Sequence, residues 1–329
     1  MIETRLTQPD HLARAAVRSR ADDILRPPGA LARLDEVAEW VAGWLGQSRP
    51  TIAHPTALIF AGDHGVVAEG VSGFTSDVTA SMMAAFEQGV ATVSAMGRVA
   101  GVEVRAVDVG VGRPTGNLVV EPALDETRLT EAMAAGRQAV ADVAATGTDL
   151  LVLGEMGIGN TTPAAAICAA LLGGDARMWV GRGAGVGDDG LIRKQDAVSR
   201  AVRRMGPDPE PLAVMAQLGG AELAAIAGAT LEARRRSMPT VLDGYICTAA
   251  VLPLHVARPG VLDHCQAGHR SAEPGHRRLL HAIGKQPLLD LDLRLGEGSG
   301  AVAAVPLIRM ACAAINEVAT FTEWFGPSG

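Results

Sequence analysis

Aromatic side chains are scarce in this 329-residue sequence, which holds five Phe, four Trp and one Tyr. With so few rings, a platform on which successive nucleic-acid bases stack is disfavoured. Basic residues are also in deficit, since 29 Lys and Arg stand against 36 Asp and Glu, and the net charge is −7. A protein that follows a phosphate backbone needs a positive field, so nucleic acid is not expected as a partner.

Cysteines are few as well, and their positions are too scattered for a disulfide framework. We therefore expect a reducing, cytoplasmic location. The start of the chain lacks a basic stretch followed by an apolar run, so no secretory signal is expected. Apolar stretches are interrupted by polar residues and glycines, and no membrane partner is expected. The four cysteines are Cys168, Cys247, Cys265 and Cys312.

Glycine, in contrast, is abundant, with 39 residues. That is about 12% of the chain, against an average near 7%. Hydrophobic residues make up 48%, enough for a sizeable core. A core of Ala, Val and Leu with many glycine turns favours close packing of helices on a sheet and contact of ligands with the backbone.

From Thr56 onwards, short apolar runs that end in Gly or Asp alternate with helical stretches. The runs predict strands at 57–61, 102–107, 150–153, 178–180, 241–242 and 261–262. Between them the pattern predicts helices at 77–97, 127–145, 162–172, 189–204 and 220–235. This alternation predicts an α/β fold with a doubly wound, mostly parallel sheet of the Rossmann-like, three-layer α/β/α kind.

Both ends of the chain have helical periodicity, at 11–19, 31–45 and 301–325. We therefore predict two domains. A large nucleotide- and base-binding domain spans 52–298. A small helical domain is formed by both chain ends, 1–51 plus 299–329.

The first glycine loop reads Gly-Glu-Met-Gly-Ile-Gly-Asn-Thr-Thr over 154–162, after a predicted strand and before an Ala-rich helix. Helix N-terminal amides together with Asn160, Thr161 and Thr162 can bind phosphate. The loop has neither the Gly-Lys-Ser/Thr of a Walker A motif nor a G-x-G-x-x-G fingerprint. An ordinary glycine-rich turn with Asn or Thr as a helix cap explains the same residues equally well.

A second glycine loop spans 181–188 and precedes Lys194. No acidic residue ends a further strand about 20 residues on, as a ribose-binding dinucleotide site requires. Two phosphate-compatible loops and a lysine therefore favour a mononucleotide over NAD. The alternative for Lys194 is a solvated lysine on a helix surface.

Glu297 lies between Gly296 and Gly298, directly before the last helix. One interpretation is a helix-cap carboxylate, stabilised by about 0.3–1 kcal/mol at a helix N-terminus. The other is a proton acceptor on a backbone that substrate can approach closely, with its pKa raised by partial burial.

Two further groups of residues carry side chains able to act on ligands. Asp63 and His64 follow the first predicted strand and are expected at the ligand-binding edge. The segment 263–276 is rich in His, Asp, Glu and Cys, but its spacing fits no structural zinc pattern. We favour a polar loop at a strand end, and expect no metal and no cofactor.

Taken in order, these segments resemble the nicotinate-nucleotide:dimethylbenzimidazole phosphoribosyltransferase family, which acts in assembly of the cobalamin lower ligand. The pair of Gly-Glu-Met-Gly-Ile-Gly-Asn-Thr-Thr and Arg-Leu-Gly-Glu-Gly-Ser-Gly-Ala, in this order, is highly specific. The resemblance covers nearly the whole chain, through 25–34, 61–66, 69–72, 154–162, 181–187, 242–244, 271–273 and 294–301.

The resemblance implies a homodimer that transfers phosphoribose from nicotinate mononucleotide to 5,6-dimethylbenzimidazole, giving α-ribazole 5′-phosphate and nicotinate with inversion at C1′. It implies Glu297 as the general base. The residues that it implies for nucleotide and phosphate binding are Glu155, Gly157, Gly159, Asn160, Thr161, Thr162, Gly183 and Lys194. Those implied for the base pocket are Phe60, Thr79, Met82, Met156 and Leu295.

Other interpretations stay open beside this one. The segment 73–83 lacks the proline-containing stretch and the glutamine that the family often has near its base pocket. Adenine, other benzimidazoles and phenolics are therefore alternatives for the accepted base. A non-catalytic nucleotide- or base-binding protein would use the same glycine loops, but has no need of Glu297. A nucleotide-dependent oxidoreductase is disfavoured by the missing dinucleotide fingerprint.

Overall fold

A computed structural model of the chain describes residues 6–183 and 185–326. Within these residues a single six-stranded sheet has the order β2-β1-β3-β4-β5-β6, and every neighbouring pair is parallel. The strands are β1 Pro55–Gly62, β2 Glu103–Gly110, β3 Leu150–Met156, β4 Thr240–Leu242, β5 Cys265–His269 and β6 Pro287–Leu289. From β1 the chain continues to β2 at one edge of the sheet, and from β3 it continues through β4 and β5 to β6 at the other edge. This order confirms the predicted doubly wound fold.

Helices cover both faces of the sheet. Those from α5 to α11 pack on one face, and α1 to α4 with α12 pack on the other. The helices are α1 His11–Asp23, α2 Arg33–Leu45, α3 Asp77–Glu87, α4 Thr92–Ala100, α5 Glu126–Ala145, α6 Thr161–Leu172, α7 Asp188–Met205, α8 Pro211–Leu218, α9 Ala221–Arg235, α10 Tyr245–Ala257, α11 His276–Ala282, α12 Ser299–Asn316 and α13 Phe321–Phe325.

The central strands are buried on both faces, which explains why they form continuous apolar runs rather than alternating patterns. Every residue of β1 is buried. Leu58 and Phe60 face the α5–α11 side, whereas Ala57 and Ile59 face the side of the terminal helices. The predicted strands at 57–61, 102–107, 150–153 and 241–242 are confirmed.

Two strand predictions are wrong. Residues Ala176–Met178 form a short 3-10 helix, and the indole Nε1 of Trp179 donates to the Gly173 carbonyl at 2.8 Å. A buried tryptophan flanked by apolar residues is typical of a strand, but here Trp179 lies in a turn. Val261 and Leu262 lie in a buried turn before β5.

Two helix predictions were too long. The predicted helix at 77–97 is two helices, α3 and α4, because the chain turns at Gly89, whose φ is +68°. The predicted helix at 301–325 ends at Asn316, and α13 begins at Phe321 with a capping box formed by Thr320 and Glu323. The other predicted helices are confirmed within a few residues at each end.

The two ends of the chain pack together. Arg20 of α1 donates to the carbonyls of Ile315 and Val318 and to the carboxylate of Glu323. Helices α1, α2 and α12 share one hydrophobic cluster with the sheet, so the domain boundaries at 52 and 298 stay a prediction. Residues 1–5 and 327–329 of the predicted helical domain lie outside the described residues.

Helix α12 is long and apolar enough to cross a membrane by length and composition. Its buried residues, which include Val302, Val305 and Ile308, belong to the hydrophobic cluster on the terminal-helix face. Those residues give α12 the character of a core helix, packed against α2, α4 and the sheet.

Candidate active site

A cavity of about 310 Å³ opens at the carboxyl ends of the strands, where the end of β3 forms part of its wall. After β1 the chain continues to β2 on one side, and after β3 it continues to β4 on the other. Doubly wound sheets bind ligands at such a point between two parallel strands. The volume lies in the range of small-molecule sites. Five segments contribute to the wall, within 71–82, 155–161, 182–194, 244–273 and 294–297.

The first glycine loop forms one end of the cavity, which we call the phosphate end. Gly157, Gly159, Asn160 and Thr161 all line it, and α6 begins at Thr161. The first N–H groups of a helix lack partners within the helix and carry the positive end of its dipole. This end of the cavity is therefore built to hold an anion.

Lys194 comes from α7 and reaches the same end of the cavity. It is only 1% exposed, and its Nζ donates to Thr161 Oγ1 at 2.7 Å. The solvated-lysine interpretation is therefore wrong. Burial lowers the pKa of Lys194 to about 8, while the charge of Glu273 opposes that shift. The ammonium group is thus charged at neutral pH and bonded to the residue that opens α6.

The second glycine loop lies over this lysine. The N–H of Gly183 donates to Glu273 Oε1 at 3.0 Å, and Glu273 is itself buried. Gly183 lines the cavity, so the structure brings it together with Thr161 and Lys194. Its amide hydrogen is already bonded to a carboxylate here, and its predicted contact with phosphate stays a prediction.

Glu155 lies at the end of β3 and lines the cavity, although it is only 5% exposed. Its Oε2 accepts a hydrogen bond from the Asn160 side chain. Burial raises the pKa of Glu155 to about 8, against the effect of that hydrogen bond; the charges of Asp243, Glu222 and Glu297 raise it further. At neutral pH this side chain is therefore mostly a protonated carboxyl group.

Glu297 also lines the cavity, in the segment 294–297, and together with Met82 and Met156 this segment forms what we call the base end. Its backbone has a left-handed φ of +61°, and its N–H donates to the Glu155 carbonyl at 3.2 Å. The side chain is 7% exposed, and within the described chain its buried Oε2 has no hydrogen-bond partner. Burial raises the pKa of this carboxylate against the effect of a backbone hydrogen bond from Val93, and the charge of Asp243 adds to the rise.

The helix-cap interpretation of Glu297 is wrong. Helix α12 begins after Gly298, and no side chain at that cap position bonds the helix. The carboxylate of Asp243 instead accepts from the N–H groups of Gly298 and Ala301. Glu297 therefore does not cap α12, and it lines the cavity instead.

Three of the five predicted base-pocket residues, Met82, Met156 and Leu295, line the cavity. Phe60 is buried in the core beneath it. Thr79 is also buried, and its Oγ1 accepts from the N–H of Ile158, so it supports the first glycine loop from below. Among the phosphate-loop residues, Thr162 is fully buried and does not line the cavity. The roles of these residues in binding stay predictions.

Several cavity residues were not assigned individually as site residues. Phe74 and Val78 line the cavity in the same segment as Met82, and His269 and Ser271, from the polar segment 263–276 expected at a strand end, line it after β5. Phe74 is 49% exposed and is an aromatic ring in a chain with few of them, which is a signal that the sequence did offer. Ser271 and Glu273 lie in a segment that carries the family resemblance, but their roles were left unassigned.

Asp63 and His64 follow β1 as expected, yet both are buried and neither lines the cavity. His64 Nε2 lies 2.6 Å from Glu222 Oε1, and both side chains are fully buried. The segment 263–276 is not one polar loop, because its residues 265–269 form β5. Among the described residues, no group of three His, Cys, Asp or Glu side chains is arranged to hold a metal ion.

The arrangement separates two tasks. One end offers helix amides, hydroxyls and a buried lysine, which together bind and orient an anionic group. The other end offers a carboxylate of raised pKa beside apolar side chains, which can accept a proton from a bound ring. A molecule that spans the two ends would place its reacting atom between them.

Comparisons with known proteins agree with this geometry. The family described as "Phosphoribosyltransferase" matches residues 6–324 of the chain. A nicotinate-nucleotide–dimethylbenzimidazole phosphoribosyltransferase of Cereibacter sphaeroides is 47% identical over 319 residues, which cover 97% of this chain and 93% of that protein. The enzyme of the same name from Mesorhizobium japonicum is 48% identical over 312 residues, covering 94% and 92%.

Solved structures give the same result. The crystal structure of CobT from Thermus thermophilus aligns with a TM-score of 0.91 and 44% identity, covering 97% of this chain and 100% of that one. A structure of the nicotinate-nucleotide–dimethylbenzimidazole phosphoribosyltransferase from the same organism aligns with a TM-score of 0.91 and 43% identity, with the same coverage.

Proposed function

Because this chain belongs to the phosphoribosyltransferase family and is similar throughout to nicotinate-nucleotide–dimethylbenzimidazole phosphoribosyltransferases, we propose that it transfers phosphoribose from nicotinate mononucleotide to 5,6-dimethylbenzimidazole or a related base. The products are α-ribazole 5′-phosphate and nicotinate, and the reaction belongs to cobalamin lower-ligand assembly.

The observation that carries this proposal is the position of Glu297. Its buried carboxylate lines the same cavity as Thr161 and Lys194. A protein that only bound a nucleotide would not need a buried carboxylate of raised pKa there. This separation of anchor and base suits a substrate with a phosphate at one end and a transferable sugar carbon in the middle.

The chemistry follows from the substrates. The pyridinium ring of nicotinate mononucleotide is already cationic, so nicotinate leaves C1′ without acid assistance. One nitrogen of the attacking base bonds to C1′ from the opposite face, which inverts the configuration from β to α. The attacking ring becomes cationic as this bond forms, and the proton on its other nitrogen becomes acidic.

Glu297 accepts that proton and stabilises the positive charge on the ring as it develops. Met82, Met156 and Leu295 hold the flat base by apolar contact. Thr161, Lys194 and the start of α6 fix the phosphate, so C1′ is held in line with the incoming nitrogen. Positioning of this kind lowers a barrier by several kcal/mol, on the order of the 7–11 kcal/mol available to well-oriented reactants.

We also propose that the active form is a homodimer located in the cytoplasm. Support for the dimer comes from the family resemblance, and support for the location comes from the scattered cysteines. Light scattering coupled to size-exclusion chromatography tests the dimer directly, with a mass of about twice 33.9 kDa expected.

The function is tested by incubating the purified protein with nicotinate mononucleotide and a panel of bases that includes 5,6-dimethylbenzimidazole, other benzimidazoles, adenine and phenol. Chromatography with mass detection measures free nicotinate and ribotide. We expect base-dependent release of nicotinate with an equal amount of α-ribotide, and the fastest reaction identifies the preferred base. Measurable nucleotide binding without release of nicotinate by any base would instead establish a binding protein.

A further inference from the structure

Asp243 follows β4, and its side chain is completely buried. It does not line the cavity, yet it bonds to the segment that carries Glu297. Its Oδ2 accepts from the N–H of Gly298 at 3.1 Å, and its Oδ1 accepts from the N–H of Ala301 at 2.9 Å. One carboxylate from a different strand end thus binds the N–H of Gly298, directly before α12, and the N–H of Ala301 in its first turn.

This contact replaces an ordinary helix cap. The first four N–H groups of a helix have no partner within it, and a side chain just before the helix usually supplies an acceptor. Gly298 occupies that position in α12 and has no side chain to do so. Asp243 supplies the acceptor from β4, so the start of α12 is bound directly to the sheet.

The backbone of Glu297 needs such a constraint. A non-glycine residue with φ of +61° is strained, and strain of this kind persists only where the surroundings fix the conformation. The Glu297 N–H is bonded to the Glu155 carbonyl, and Ser299 Oγ donates to the Gly296 carbonyl at 2.7 Å. With the bonds from Asp243, the backbone is therefore fixed on both sides of Glu297.

Close packing adds to these hydrogen bonds. A Cβ atom at Gly154 would lie 2.6 Å from the Gly298 nitrogen, so β3 touches the start of α12 backbone to backbone. The His269 ring lies against Gly300, where a Cβ would be 2.1 Å from its Cδ2. His269 Nε2 is 3.5 Å from Asp243 Oδ1, so the imidazole packs beside the carboxylate and the helix start together.

We propose that Asp243 is a positioning residue for the transfer reaction: its two hydrogen bonds to the start of α12 hold the Glu297 carboxylate where it meets the attacking base. The inference rests on the proposed role of Glu297 as the proton acceptor. Asp243 acts through Glu297 and touches neither substrate.

The test is a double-mutant cycle with Asp243→Asn and Glu297→Gln. An amide has one acceptor oxygen, and its NH₂ group would face the second N–H donor, so one of the two bonds is lost. We expect Asp243→Asn to lower kcat by about 10- to 100-fold, while the KM for nicotinate mononucleotide changes less than about twofold. In the Glu297→Gln background the same substitution should lower kcat no further, since the group that it positions is already absent.

The matched control is Asp125→Asn. Asp125 also caps a helix, with its Oδ1 accepting from the Arg128 N–H at 2.8 Å at the start of α5, outside the cavity. Asn Oδ1 can accept the same bond, so we expect that variant to keep a melting temperature near that of the wild type and an unchanged kcat. If Asp243→Asn proves too unstable to assay, the cycle is run with Asp243→Ser, which has one acceptor on a shorter side chain.

The outcomes separate the two claims. An equal loss of kcat from Asp243→Asn with and without Glu297 would overturn the positioning role, because Asp243 would then act independently. A rise in the nucleotide KM with kcat unchanged would overturn it as well. Full turnover by Glu297→Gln alone would instead contradict the proposed function of Glu297.

Discussion

The two ends of the cavity differ in the charged group that each presents. At the phosphate end, the ammonium of Lys194 is bonded to Thr161 Oγ1 beside the start of α6. At the base end stands the carboxylate of Glu297, with a raised pKa and, within the described chain, no partner for its buried Oε2. A cation beside helix amides suits an anion, whereas a carboxylate of raised pKa suits acceptance of a proton. We infer that one end binds and the other end reacts.

The largest effect should come from removing the reactive group. Glu297→Gln keeps the shape of the side chain but cannot accept a proton, so we expect kcat to fall by about 10²- to 10⁴-fold. The KM for the nucleotide should stay within about threefold, because the phosphate end is untouched. Steady-state kinetics measure both. Glu317→Gln, an exposed carboxylate beyond the other end of α12, is the control and should behave as wild type.

At the phosphate end we expect a smaller effect, which changes the nucleotide KM rather than kcat. Lys194→Met removes the buried ammonium but keeps a similar apolar stem, and charged hydrogen bonds contribute about 1.5–3 kcal/mol. We expect the nucleotide KM to rise about 10- to 100-fold with little change in kcat at saturation. Lys285→Met is the comparison, since Lys285 is a half-buried lysine bonded to the Leu262 and Cys265 carbonyls. That variant should lose stability and keep its KM.

The smallest effects are expected in the pH dependence. The pKa of Glu297 is raised, so kcat should fall as pH drops through a value above that of an ordinary glutamate. The pKa of Lys194 is about 8, so kcat/KM for the nucleotide should fall as pH rises through that region, where the ammonium loses its charge. Glu155 ionises near the same pH.

Rate profiles of the variants separate these contributions. Lys194→Met should remove the part of the fall in kcat/KM at high pH that comes from deprotonation of the lysine. We assign the fall that persists at high pH to ionisation of Glu155. An alkaline limb identical to that of the wild type would show that Lys194 is not the group that titrates.

Much of the fold could be predicted because its signals are local. Strands β1 and β3 are buried on both faces and therefore form long apolar runs, which no helix surface imitates. Strand β5 was missed because its residues Cys265–His269 are small or polar. Gln266 bonds to Arg33, and Gly268 touches the backbone of Ala301, so tertiary contacts rather than hydropathy place this strand.

Strand β6, at Pro287–Leu289, was missed for another reason. It is only three residues long, lies at the edge of the sheet and begins with proline. Proline is tolerated at the start of an edge strand but argues against a central one. Three residues are too few to show the two-residue periodicity of a strand.

The site residues likewise divide into those that a local motif predicts and those that depend on tertiary contacts. Contiguous motifs predicted Asn160, Thr161 and Glu297, since their glycine-rich surroundings are visible in the sequence. The partner of Lys194 and the support from Asp243 depend on helices and strands distant in the chain, and no local pattern reports them. Burial of Lys194 is likewise a property of the packed loops above it, which is why a solvated lysine fitted the sequence equally well.

The most direct test of the division between the two ends is calorimetric titration of nicotinate mononucleotide into Glu297→Gln and Lys194→Met, without any base present. We expect Glu297→Gln to bind the nucleotide with a Kd within about threefold of wild type, although it has lost most turnover. We expect Lys194→Met to bind about 10- to 100-fold more weakly. Loss of nucleotide binding in Glu297→Gln, or wild-type binding in Lys194→Met, would contradict the division of the cavity into a binding end and a reacting end.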